Sequence, residues 1–311
     1  MSRLSIHLFG KFSAQRDGHT LGGFTARKVQ ELCGYLLLYR ERPHAREELA
    51  TLFWGESPSA QAKKQLRQTV WQLRSALSEH AEPTDRCALL VRPEWVSINT
   101  ETDIWLDLAL FEHALMRTRG VLGRDLDADS ATELAHAVQL YRGDLLEGSY
   151  QDWCLFERER LQSAYLAMLD KLMDYCEAHD ECEKGLDYGE TILRYDRARE
   201  RTHQRLMRLY VRSGDRAGAL RQFERCAAAL KEELSVRPGQ RTVALYEQIR
   251  ADGLGSAPAG PAPASPAPPP SLAPLTEAAT RLRELRTVLN DLERQLRQGI
   301  EAAEAALRSV R

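Results

Sequence analysis

The apolar positions of this chain fall into two rhythms: a short alternation near the amino end and helical spacing through most of the remaining length. Residues 4 to 16, LSIHLFGKFSAQR, are β-rich and partly alternating, which predicts a first strand, and Asp17-Gly18 supplies a turn toward a second short strand near Leu21. From Thr25, a candidate N-cap, Val29, Leu32, Leu36 and Leu37 recur at helical spacing, and Pro43 follows the end of that helix. A second helix is predicted over 46–53, with Leu49, Leu52 and Phe53 inward and a stop at Trp54-Gly55. Ser57 or Ser59 can cap a third, longer helix whose Leu66, Val70, Leu73 and Leu77 form one buried stripe. ALLV and WVSIN then flank Arg92-Pro93-Glu94 as a β-hairpin. Strands, three helices and a hairpin is the order of a winged helix-turn-helix carrying a small amino-terminal sheet, assigned to residues 1–102.

From about Asp103 the pattern is helical throughout, with segments near 106–116, 131–141, 153–177, 181–195, 199–212, 216–233 and 242–250. Asp180 before ECEKGL and Asp215 before RAGAL place Leu186 and Leu220 about 34 residues apart, the tetratricopeptide period. Residues 103–253 therefore read as a tetratricopeptide-like all-α domain. Residues 254–274 are rich in Pro and Ala, bury no core and predict an extended linker. Leu282, Leu285, Leu289, Leu292 and Leu296 then step by three and four, so residues 275–311 predict a coiled-coil helix that makes the chain a homo-oligomer, with about four heptads too few to fix the number of copies. Ile300 and Leu307 fall one position off the strict heptad. The fold class expected is mostly α.

Composition narrows the function. With 43 Lys and Arg against 45 Asp and Glu the chain is near neutral, but residues 1–100 carry 14 basic and 10 acidic side chains and residues 101–255 carry 22 and 29. A basic amino-terminal module permits a polyanionic partner without demanding one. The six cysteines lie without C-x-x-C spacing, and neither a signal peptide nor an apolar run of about 18 residues is visible, which predicts reduced thiols in the cytoplasm and no membrane association. Cys176, His179 and Cys182 lack a fourth ligand for a metal. No nucleophile elbow, P-loop or dinucleotide fingerprint occurs, so neither an enzyme nor a cofactor is expected.

The third helix carries the chemistry. With its leucines inward, Gln61, Lys64, Gln68, Trp71 and Ser75 turn outward, flanked by Gln65, Gln72, Arg67 and Arg74, and no acid occurs between Ser57 and Ser78. A major groove needs side chains that both donate and accept at base edges: Gln pairs bidentately with adenine, and Lys or Arg donates to guanine. Solvated helix faces of Gln, Lys and Arg commonly bind nothing. The absence of acids, the outward Trp71 and the hairpin behind the helix favour duplex DNA, with Trp71 either on the deoxyribose or a thymine methyl or under the wing. Arg27, Lys28, Lys63, Arg67 and Arg92 are the candidate phosphate contacts. The competing reading is a tetratricopeptide-like protein-interaction adaptor with a non-functional winged helix. A concave helical array also has room for a small-molecule effector, which the sequence does not name.

Specific strings carry a family resemblance: TARKVQELCGYLLL, REELATLFWGE, AQAKKQLRQTVWQLRSAL, LYRGDLLEG, DWCLFERERL and SGDRAGALRQFERCAAALKEELSVRPGQRTVALYEQI. Over roughly residues 4 to 250 the chain resembles the Streptomyces antibiotic regulatory protein (SARP) type of transcriptional activator, a response-regulator-type winged helix followed by a bacterial transcriptional activator domain (BTAD). The resemblance implies that the third helix enters the major groove of promoter direct repeats and that the protein recruits RNA polymerase. It also implies a structural role for Trp54 and Gly55. The ATP-binding motif of larger relatives is absent, and the linker and heptads lie outside the minimal family plan.

Overall fold

The computed structural model describes residues 3–81 and 87–252; the predicted linker 254–274 and coiled coil 275–311 lie outside the described residues. The described residues all fall in one compact unit. The chain opens with β1 (Leu4–His7), β2 (Ser13–Arg16) and β3 (His19–Thr20). The single strand expected over 4–16 is thus two antiparallel strands, with Leu4 opposite Arg16 and His7 opposite Ser13. Gly10, at φ 78°, lies in the connection, and Asp17 and Gly18, both at positive φ, make the tight turn to β3 that an Asp-Gly pair favours.

The first helix, α1 (Arg27–Leu38), follows a short 3-10 turn at Gly22–Phe24. Thr25 is not its cap: Ala26 holds that position, with no side-chain hydrogen bond. After β4 (His44–Ala45) come α2 (Arg46–Trp54) and α3 (Ser59–Leu77). Neither serine caps α3, because Pro58 stands at the N-cap and Ser59 is the first helical residue. Leu49 and Phe53 are buried as predicted, whereas Leu52 is on the surface. Helical spacing gives an angular position and not the reach of the neighbours that cover it, and α3 covers only one flank of this short helix.

The hairpin of β5 (Leu89–Val91) and β6 (Trp95–Ile98) is the wing. Its inner strand also pairs with β4, His44 opposite Val96, and the Arg46 amide donates to the Glu94 carbonyl at 2.9 Å. The wing is therefore tied to the start of α2. The chain does not turn helical at Asp103: Ile104–Leu106 forms β7, parallel to β1, giving a sheet of order β3-β2-β1-β7.

The remaining helices are α4 (Asp107–Arg117), α5 (Ala128–Leu140), α6 (Asp152–Ala178), α7 (Cys182–Tyr195), α8 (Glu200–Arg212), α9 (Arg216–Leu234) and α10 (Gln240–Asp252). From α4 to α10 each packs against the next, and α10 also reaches α8. The two repeat starts differ. Asp215 caps α9 by accepting from the Gly218 amide at 2.7 Å, whereas Asp180 sits before α7 at φ 62° and is gripped by Arg212.

The two halves share one core. Asp107, buried at the head of α4, accepts amides of Leu8, Phe9 and Leu108 at 2.7–3.1 Å. Burial pushes its carboxyl upward, against the opposing pull of those amides. Along α1, Ser149 donates to the buried Glu31 and Tyr39 donates to Glu157, both at 2.9 Å. Leu146 lies on Gly34, where a Cβ would meet its Cδ1 at 2.5 Å, and Trp153 stands edge-on to Tyr35 with centroids 5.2 Å apart.

Candidate nucleic-acid interface

The outer face of α3 is held out by its inner one. Leu66, Val70, Leu73 and Leu77 are all at most 4% exposed, and α3 packs against α1, α2 and the 3-10 turn, which fixes the helix about its axis. Gln61, Lys64, Arg67, Gln68, Trp71 and Ser75 consequently face solvent, and Gln72 is half-buried. Trp71 is 69% exposed, so it does not lie under the wing. An indole left in water on a helix of amides and cations is a surface with no covering partner in this part of the chain.

The candidate phosphate contacts divide into free and committed groups. Arg67 is exposed and has no carboxylate partner among the described residues. Arg92 stands at the exposed wing tip with its guanidinium carbon 6.0 Å from the Trp95 ring centroid, a cation-π contact that holds it in place. Lys63 is engaged: its Nζ is 2.6 Å from Glu47 Oε1, and this hydrogen bond and charge hold the Glu47 carboxyl below the ordinary range. Lys28 is half-buried, 3.2 Å from Glu31 and over the rings of Phe53 and Trp54 at 5.6 and 5.9 Å. Arg27 is exposed, but its guanidinium lies by Gly148, where an added Cβ would meet Nη2 at 3.7 Å. Lys28 and Arg27 are thus engaged toward the seam between the halves.

Sequence reasoning missed Arg46. It opens α2 half-buried, next to a cleft of about 630 Å³ lined also by Glu47, Lys63, Arg67, Pro93 and Glu94. Nothing in its local sequence sets it apart from other surface arginines; only the β4–β6 pairing brings it beside the wing. A second cleft, of about 500 Å³, separates Trp71, Gln72 and Ser75 from Thr25 and Ala26 at the head of α1. His44, buried beneath the wing, has Nε2 3.1 Å from the Tyr39 carbonyl, and burial lowers its pKa.

This geometry can present amides and one amine to the floor of a groove, flanked by guanidinium groups. Among the described residues no group of three His, Cys, Asp or Glu side chains is placed to hold a metal ion. No described helix is long and apolar enough to cross a membrane.

Comparison with known proteins agrees with this architecture. Residues 106–250 match the family model of the bacterial transcriptional activator domain. The regulatory protein AfsR of Streptomyces coelicolor is 28% identical over 323 residues, covering 99% of this chain and 31% of AfsR. AfsR of Streptomyces griseus is 26% identical over 82% of this chain and 26% of its own length. The chain therefore spans about a third or less of these relatives. Mycobacterium tuberculosis EmbR, solved in complex with a low-affinity phosphopeptide, shares the fold at a TM-score of 0.59 with 21% identity, over 81% of this chain and 66% of EmbR. Residues 106–250 are thus similar to the bacterial transcriptional activator domain, and the chain resembles AfsR in sequence and EmbR in fold, with a winged helix ahead of the segment that matches the activator domain.

Proposed function

We propose that this protein is a cytoplasmic, sequence-specific regulator that binds promoter DNA by inserting α3 into a major groove, with the wing on the neighbouring backbone. Its output is activation by recruitment of RNA polymerase, as in the family it resembles. The observation that carries the reading is the outer face of α3: Gln61, Lys64, Gln68, Trp71 and Ser75 all exposed, on a helix with no acid between Ser57 and Ser78. The adaptor reading gives no reason for such a helix to remain free of carboxylates, and a degenerate winged helix has no reason to keep its wing tied to α2.

Gln61 and Gln68 would pair with adenine edges and Lys64 with guanine, each good pair contributing about 1–3 kcal/mol of discrimination. Arg67 and Arg92 would add the sequence-independent electrostatic term. The test begins by capturing bound fragments from genomic DNA at several salt concentrations, then titrating the recovered site in a gel shift. Lys64→Ala with Gln68→Ala is expected to lower the ratio of specific to random binding by at least about tenfold while the melting temperature holds. Undiminished discrimination would remove this face from consideration. Pairing of two chains through residues 275–311 would raise the effective concentration of the second winged helix. Deleting residues 256–311 should then lower both sedimentation mass and operator affinity.

A further inference from the structure

The cleft between the start of α2, the outer face of α3 and the wing tip gathers three cations, Arg46, Lys63 and Arg67, and two carboxylates, Glu47 and Glu94. They are not equivalent. Arg46 and Arg67 have no ion-pair partner among the described residues. Lys63 is bound at 2.6 Å by Glu47, whose side chain is 80% exposed. Glu47 is not needed there for packing, and Glu48 in the same first turn serves the helix dipole equally. What Glu47 does in the free protein is occupy the amine that a phosphate oxygen would otherwise take.

We propose that this cleft receives one phosphodiester of the duplex, with Arg46 and Arg67 as its standing donors and Glu47 as an intramolecular competitor that must release Lys63 before the third contact forms. The inference rests on the DNA-binding reading above. It assigns roles to two residues, Arg46 and Glu47, that sequence spacing does not single out. The exchange is close to balanced, because an exposed ion pair is weak and a phosphate replaces the carboxylate with a similar charge. The dense negative charge of the backbone then acts against Glu47 wherever it stays in the cleft. Glu47 therefore sets how strongly the protein holds DNA of any sequence, independently of the glutamines that read bases.

Because the electrostatic term does not depend on sequence, the probe is a fluorescent random-sequence duplex, titrated with the full chain between about 50 and 200 mM salt. Glu47→Gln is expected to tighten binding roughly three- to tenfold at the lowest salt and less as salt rises. In a Lys63→Ala background the same substitution should give a clearly smaller gain, the part left by charge repulsion alone. Arg46→Ala should weaken binding and flatten the dependence of log affinity on log salt by about 0.9. Unchanged or weaker binding by Glu47→Gln, with its melting temperature intact, overturns the competitor role, and Glu47→Ala repeats the measurement should Gln disturb the fold. A gain that is undiminished in Lys63→Ala also overturns it, since Glu47 would then act by general repulsion alone. An unaltered salt slope in Arg46→Ala removes the cleft as the phosphate site. Wild-type binding with any of these three failures leaves the DNA-binding reading standing, whereas a wild-type chain and a Glu47→Gln chain that both leave every duplex free overturn the two together.

Discussion

His203 shows how one buried side chain can be held in a single protonation state by its partners. Its Nε2 lies 2.9 Å from the Arg197 carbonyl, so that nitrogen must carry hydrogen and donate. Nδ1 is left to accept from the Gln222 amide at 2.8 Å. That amide cannot turn over, because its oxygen accepts from Arg225 at 3.0 Å, and Arg225 is held in turn by both oxygens of Glu190. Protonating His203 would point two donors at each other inside the fold. Burial, the largest influence, lowers its pKa accordingly. The unfolded value is about 6.5, so the stability His203 contributes is present above that pH and is lost as pH falls through it. Gln222→Glu puts an acceptor opposite Nδ1 and raises the folded pKa, which reverses the sign: the contribution is then present below about 6.5 and is lost as pH rises through the new folded value. Denaturant midpoints of variant and wild type between pH 5 and 8 test this. The difference should favour the variant increasingly toward pH 5, His44 being common to both. A difference that stays flat over that range rules out the tautomer assigned here.

At the scale of elements, most long helices and the wing were legible because their apolar positions repeat often enough to define a face. Leu66, Val70, Leu73 and Leu77 alone orient α3. β4 and β7 were not legible: two or three residues contain no period, and each is a strand only because a distant strand pairs with it, Val96 for His44 and β1 for β7. The same reasoning separates the candidate contacts. Their side-chain types could be read from the sequence, but the pairing of Lys63 with Glu47 and of Lys28 with Glu31 depends on three-dimensional neighbours, as does the exposure of Trp71. Packing of α3 also relies on a position that composition does not mark. Gly23 faces Ala76 so closely that an added Cβ would lie 2.5 Å from its Cβ and 2.8 Å from its Cα, a helix backbone atom with little freedom to retreat. Gly23→Ala is expected to destabilise the fold by about 1–3 kcal/mol through overpacking. Thermal melts read the loss, and an unchanged melting temperature would show that the 3-10 turn slides away from α3 without penalty.

At the scale of the whole described molecule, the decisive feature is the seam along α1. Glu31, Gly34 and Tyr35 on α1 and Tyr39 at its carboxyl-terminal cap meet Ser149, Leu146, Trp153 and Glu157 of the activator-domain side. Arg158 adds hydrogen bonds to the carbonyls of Leu145 and Leu146 at 2.7 and 2.6 Å, fixing the loop that carries Leu146. Buried apolar residues run from Leu4 to Leu209 as one cluster. Two modules joined in this way do not swing on a linker, so a signal received by the helical domain would reach α3 by shifting α1, which packs on α3 and touches Leu146, Ser149 and Trp153 across the seam. Such a seam also makes unfolding cooperative, because neither half can open without exposing the shared core. Chemical unfolding should therefore show one transition, with hydrogen exchange in α1 and α6 rising at the same denaturant concentration. Trp153 is the probe: half-buried, it stands edge-on to both Tyr35 and Phe53. Trp153→Ala is expected to cost about 2–3 kcal/mol, below the range for a fully buried tryptophan, and to lower the midpoints of both halves together. If only α6 and its neighbours lose protection while α1 and α3 keep theirs, the halves are energetically separate, and coupling through α1 must be abandoned.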